Sequence, residues 1–178
     1  MKKLTYFAGA LLVCFLLYAQ AEALDYKTDD ISASVEVLPT FGISLDNLNL
    51  YFGLIQPGST KILGEGTFFN QIHCRSNSGR PWFLKAQVVS LSLMEKPYKV
   101  PAGNLKWKVT QCTGSAQPAG GYDFQSLTEE PLLMYASQGD DDFGKDVVLS
   151  MQYSLQSPSD APAGTYSGQI VFTMAESP

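Results

Sequence analysis

Histidine is almost absent from this chain. His73 is the only one, so an imidazole base has a single candidate, and a zinc site lacks donors. It stands beside Cys74 in a strand-like stretch, with no G-x-S-x-G or similar nucleophile signature nearby. A structural or surface role is the expectation. Basic residues are also scarce: 12 Lys and Arg stand against 17 Asp and Glu, for a net charge of −5. That balance disfavours nucleic acid and anionic membrane surfaces as partners. Separated carboxylates suited to glycosidase chemistry are missing too. Glu129-Glu130 and Asp140-Asp141-Asp142 are adjacent runs in turn-like settings, the pattern of solvated loops rather than of two acids facing across a cleft. The D-x-D-x-D-G calcium spacing is not met, which leaves calcium at Asp140–Asp142 an open alternative. No catalytic residue, metal ligand or cofactor site is expected, and the chain reads as a non-enzyme.

Long apolar runs are confined to the start. Lys2 and Lys3 precede an uncharged stretch from Phe7 to Ala19, and Ala21-Glu22-Ala23 follows. This is the layout of a secretory signal over residues 1–23, cut after Ala23, and the run is shorter than the ~20 residues of a spanning helix. Export to the periplasm or cell surface follows, with a single domain over residues 24–178. Residues 1–23 carry Lys2, Lys3 and Glu22, a net +1, so the remaining chain carries −6. Cysteine is sparse: Cys14 leaves with the signal, and Cys74 and Cys112 remain. In an oxidising compartment an even pair reads as one disulfide, two buried free thiols being the alternative.

Helical periodicity is the last absence. What fills the chain instead is alternation. Val147, Leu149, Met151, Tyr153 and Leu155 share one face of a strand, and Tyr166, Ile170, Phe172 and Met174 share one face of another. Between them Ser157 to Gly164 holds two prolines and a terminal glycine, which stop both strands. The same period of two runs through Ile31–Val37, Phe41–Leu45, Leu48–Phe52, Thr67–Arg75, Trp82–Leu91, Asn104–Cys112 and Pro131–Ala136. Gln56-Pro57-Gly58-Ser59 suits a type II turn, and Asn77-Ser78-Gly79-Arg80 suits a hairpin. Roughly eight to ten strands with turn signals every ~8–12 residues predict an all-β chain forming a single immunoglobulin-like β-sandwich. Trp82 and Trp107 fall on inward faces, whereas Tyr51, Tyr98, Tyr122 and Tyr135 are better placed to be exposed. A carbohydrate platform therefore has no obvious nucleus.

The first alternating segment invites two readings. Ile31, Ala33, Val35 and Val37, behind a polar lead, could pair within their own sandwich as an edge strand. The same row is what donation of a strand to a neighbouring subunit requires, with main-chain bonds giving affinity and alternate side chains filling pockets.

Ser32 to Val37, Asn49-Leu50-Tyr51-Phe52-Gly53, Gln56-Pro57-Gly58, Phe68 to Cys74 and Ala161-Pro162-Ala163-Gly164-Thr165-Tyr166-Ser167-Gly168 together resemble secreted bacterial β-sandwich modules of the spore coat protein U and pilin-like type. Surface WxL-type domains are similar at the F-G-x-x-x-P-G segment and the closing strand. The family's early cysteine has no counterpart, since Leu38-Pro39-Thr40 fills that region. The resemblance implies an exported structural or adhesive subunit at the cell surface or in a fimbria-like fibre. Its partners would be other protein subunits, copies of itself included, or envelope components. A monomeric secreted module binding carbohydrate or envelope is the alternative.

Overall fold

The computed structural model describes residues 33–94 and 97–177. The signal segment 1–23 and Ile31 lie outside the described residues. The chain divides after Val37 into two units. Residues 33–37, the described part of the first, form no strand and are exposed.

The second unit is the expected all-β sandwich. Its strands are β1 (Phe41–Leu45), β2 (Thr60–Leu63), β3 (Asn70–Ser76), β4 (Phe83–Leu93) and β5 (Lys99–Val100). They continue as β6 (Leu105–Cys112), β7 (Gln125–Ser126), β8 (Leu132–Ala136), β9 (Val147–Gln156) and β10 (Tyr166–Ala175). One sheet runs β1-β3-β9-β6-β7, with β2 also paired to β9. The other runs β10-β4-β5, with β8 also paired to β4. All the pairings are antiparallel.

Alternation explains the layers. On β4, Leu84, Ala86 and Val88 are buried between less buried neighbours, and on β6 Leu105, Trp107 and Val109 do the same. Facing rows from β3 and β9, including Ile72, Leu149, Met151 and Tyr153, complete one core. Each such aliphatic or aromatic side chain contributes about 1.5–3 kcal/mol on burial. Strand β9 goes further than its pattern suggests. Its polar row Ser150, Gln152 and Ser154 is buried as well, because β9 is central in its sheet and neighbouring polar side chains cover it. Gln71, for example, donates to Ser150.

Two predicted strands are not formed. Over 33–37 no strand is present, and Leu48–Phe52 runs without ladder bonds, though Leu50 and Phe52 still pack on the core. In exchange, β2 appears where no alternation was read. Strands β2 and β3 lie in series along the same edge of β9, interrupted by Gly64–Phe69. Gln152 crosses from β9 and donates to the carbonyls of Gly64 and Thr67, replacing ladder bonds that the interruption removes. The Gln56–Ser59 turn forms as expected, with Gly58 at φ 75° and a Ser59 N–H to Gln56 carbonyl bond of 3.1 Å.

Candidate functional site

A constant-type immunoglobulin sandwich orders its strands A-B-E-D in one sheet and C-F-G in the other. Here β1, β3, β9 and β6 take the places of A, B, E and D, while β4 and β10 take those of C and F. Among the described residues β10 pairs with β4 alone, so the place of the seventh strand, outside β10, holds none.

The core registers that vacancy. Ile43 and Leu45 on β1, Leu50 and Phe52 after it, and Ile170 and Phe172 on β10 all pack on the core while remaining only partly buried. Strands β1 and β10 approach each other along this side. The apolar side chains that line it therefore form two lips of a seam. A shallow depression of about 610 Å³ follows β1 from Thr40 to Asp46, lined by Ile43 and Leu45 together with His73 and Arg75 of β3 and Asp146; no β10 residue lines it, so it borders the seam on the β1 side only. Covering such lips with another apolar row would be favourable by about 25 cal/mol for each Å² removed from water.

The predicted exchange row is the matching feature. Val35 is 88% exposed and Val37 74%, and Ala33 is exposed too. The reading of this segment as a strand of its own sandwich is corrected over residues 33–37: alternating apolar residues need a partner edge to become a strand, and among the described residues these form no ladder.

The first residues of the second unit are held by one side chain. Asn77, in the β3–β4 turn, accepts from the Thr40 N–H at 2.6 Å and donates to the Leu38 carbonyl at 3.0 Å. Its own N–H donates to the Thr40 carbonyl at 3.1 Å. The turn also carries Gly79 at φ 71°, a left-handed position that favours glycine. An added Cβ there would stand 3.3 Å from the exposed ring of Phe143.

The other predicted residues are dispersed. Cys74 and Cys112 are free thiols, which corrects the expected disulfide. Strand β9 separates them, with Cys74 opposite Val147 and Cys112 opposite Leu149. Two strand spacings of ~4.8 Å each exceed the ~7 Å a bridge tolerates between Cα atoms. Burial, with Cys112 nearby, pushes the Cys74 thiol up to about 12. Burial raises Cys112 as well, and neither is a ready nucleophile.

Of the acidic run, Asp140 is exposed as expected but Asp141 and Asp142 are not solvated. The run forms a 3-10 turn, Gly139–Phe143, in which Asp141 and Asp142 are buried. Asp141 accepts from the Tyr135 hydroxyl, from the Ser115 N–H and hydroxyl, and from the Gln138 N–H. Lys145 Nζ lies 3.6 Å away. Burial works against its ionisation, but the Tyr135 and Ser115 donors outweigh it and hold the carboxyl below its ordinary value. Asp142 accepts from Ser137. With its oxygens engaged by protein donors, Asp141 braces the Ser115 loop, while Asp142 ties the turn to Ser137 at the end of β8. Among the described residues no cluster of three acidic, His or Cys side chains is arranged to hold a metal.

His73 is half-buried opposite Ser44. Trp82 and Trp107 are buried as expected, and Tyr51 and Tyr122 are exposed. Tyr135 instead is fully buried, because its hydroxyl is committed to Asp141. Asn77 and the β10 edge had not been singled out from the sequence. The asparagine lay inside a turn signal, and an empty strand position leaves no residues to read.

No family model matches the chain, and no curated protein matches it. Among solved structures it is similar to a family 123 glycoside hydrolase from Clostridium perfringens, the subject of work on glycolipid glycan hydrolysis, at 16% identity and a TM-score of 0.44. The match covers 77% of this chain and 25% of that enzyme's. A TM-score below 0.5 assigns neither fold nor activity to this chain.

Proposed function

We propose that this protein is an exported, non-enzymatic structural or adhesive subunit, located at the cell surface or in a fimbria-like fibre, and that it links to its neighbours by strand donation. The row Ala33, Val35 and Val37, extended by Ile31, adds to the free edge of β10 in a second copy and fills the seam between β1 and β10. One observation carries this reading: an immunoglobulin-like sandwich with its last strand position empty coexists with an exposed alternating apolar arm in the same chain. An unpaired strand edge is a template for another chain, and β-strand addition is an established way to use one. The burial of Trp82 and Trp107 leaves the alternative of a monomeric carbohydrate-binding module without its usual platform.

Val35→Asp tests the reading. A carboxylate in a desolvated groove has no partner, so the variant should remain monomeric in light scattering where the unsubstituted chain forms oligomers. Its urea midpoint as a monomer should be unchanged, because Val35 is exposed there. A variant that assembles normally, or one that unfolds, counts against the proposal.

A further inference from the structure

Resting on that reading, the geometry points to a second, end-to-end interface between copies of this chain: the apolar pole around Asn77, carrying Leu38, Phe41 and Phe143, seats on the opposite pole of the next copy, carrying Tyr51 and Leu54.

The first pole is assembled around the turn between β3 and β4. Asn77 binds the backbone of Leu38 and Thr40, Phe41 stands opposite Ser76, and Phe143 lies over Gly79. The Gly144 N–H donates to the Ser76 carbonyl at 2.7 Å, and the Gly79 N–H to the Asp142 carbonyl at 2.9 Å. These bonds fix the Phe143 turn to the same place. Phe143 is nevertheless 72% exposed and Leu38 76%, an arrangement that spends main-chain bonds on presenting apolar groups to water.

The occupant follows from chain length. Val37 is one residue from Leu38, and consecutive Cα atoms are ~3.8 Å apart. If Val35 and Val37 lie in a neighbour's groove, the tether has no slack. Whatever surrounds Leu38 is then pressed against that same neighbour.

Strand direction selects which surface it meets. A seventh strand beside β10 runs antiparallel to it, as in a complete sandwich. Strand β10 ends at the Asn77 pole, where Ala175 pairs with Phe83 and Glu176 contacts Arg80 at 3.4 Å. A donated arm therefore enters at that end of the acceptor and leaves at the other. There the Gln56–Ser59 turn binds Ser157, and Tyr51 flanks Gly53 and Lys61. At this far pole Tyr51 is 81% exposed and Leu54 97%. The contact is heterologous, so it propagates head to tail rather than closing on itself.

The test is cross-linking between single-cysteine additions at these exposed positions. Chains bearing Phe143→Cys and chains bearing Tyr51→Cys are mixed, allowed to assemble and oxidised, with the unsubstituted chain as control for Cys74 and Cys112. The expected result is a disulfide-linked dimer in the mixture, at least fivefold above either variant alone. Self-linking of Phe143→Cys would mean that like poles meet and would overturn the head-to-tail contact. Assembly without cross-linking would overturn the interface while leaving strand donation standing. Failure of the unsubstituted chain to assemble at all would remove the reading beneath it and the inference with it.

Discussion

Single residues set the stability of the end that bears the arm. Asp141 has no exposure to water and satisfies donors from three separate segments, which makes its charge a structural requirement. In Asp141→Asn the acceptor capacity drops and a donor group faces other donors. A loss of roughly 2–3 kcal/mol is expected from urea unfolding, the range for hydrogen bonds to charged groups. The pH dependence has a definite sign. The folded carboxyl sits below its ordinary value, so its contribution is complete above the unfolded value of about 4. It is lost as pH falls through the lower folded value, because the unfolded chain takes up the proton first. Urea midpoints of the unsubstituted chain should fall below about pH 4, and Asp141→Asn should lose that part of the slope. Tyr153 gives the opposite case. Its hydroxyl is buried beside the Asn70 side chain without a hydrogen bond of good geometry, and burial, only partly offset by Asn70, pushes its ionisation above the ordinary range. Tyr153→Phe should leave the melting temperature unchanged or raise it. A fall of several degrees would show that the hydroxyl is bonded.

At the level of elements, the closing strand pair is the decisive feature, and β10 is held on one side only. Its register against β4 shifts between Gln169 and Ile170, and Gly168 allows that close approach. A Cβ at Gly168 would fall 1.7 Å from the Ser90 carbonyl oxygen, a position backbone cannot vacate cheaply. Gly168→Ala should therefore cost roughly 2 kcal/mol or more, within the usual range for overpacking, and should raise amide exchange along β10 before the rest of the sandwich. This strand pair was also the most legible part of the sequence, because β9 and β10 each keep an apolar row and a proline-rich turn ends both. The Gln56–Ser59 turn is legible for the same kind of reason, since turn chemistry is local; Asn77-Ser78-Gly79-Arg80 is a turn as well, but it crosses from β3 in one sheet to β4 in the other and closes no hairpin, because which strands pair is not a local property. The misreadings share one cause. Ala33–Val37 and Leu48–Phe52 have the alternation of strands, but alternation reports a face, and a strand also needs a neighbouring edge. Asp141 reads as solvated in the sequence because its burial depends on donors that the fold brings to it, Tyr135 from β8 and Ser115 from a loop 26 residues away. The expected Cys74–Cys112 bridge depended on which strands are adjacent, and the insertion of β9 between them is a fact of topology.

For the whole molecule, three properties belong together: a core whose β1 and β10 side is partly buried, an exposed alternating row at Ala33, Val35 and Val37, and exposed apolar residues at both ends of the sandwich. Assembly with copies of itself would cover each with another, and the acidic balance would keep the free chains soluble until they meet. The test that bears most directly on this account is size exclusion with light scattering on the purified chain freed of residues 1–23, followed by SDS electrophoresis before and after boiling. Strand donation predicts a series of oligomers that survives SDS and collapses to one band on heating. A single monomeric peak at every concentration, with the same band before and after boiling, would contradict it.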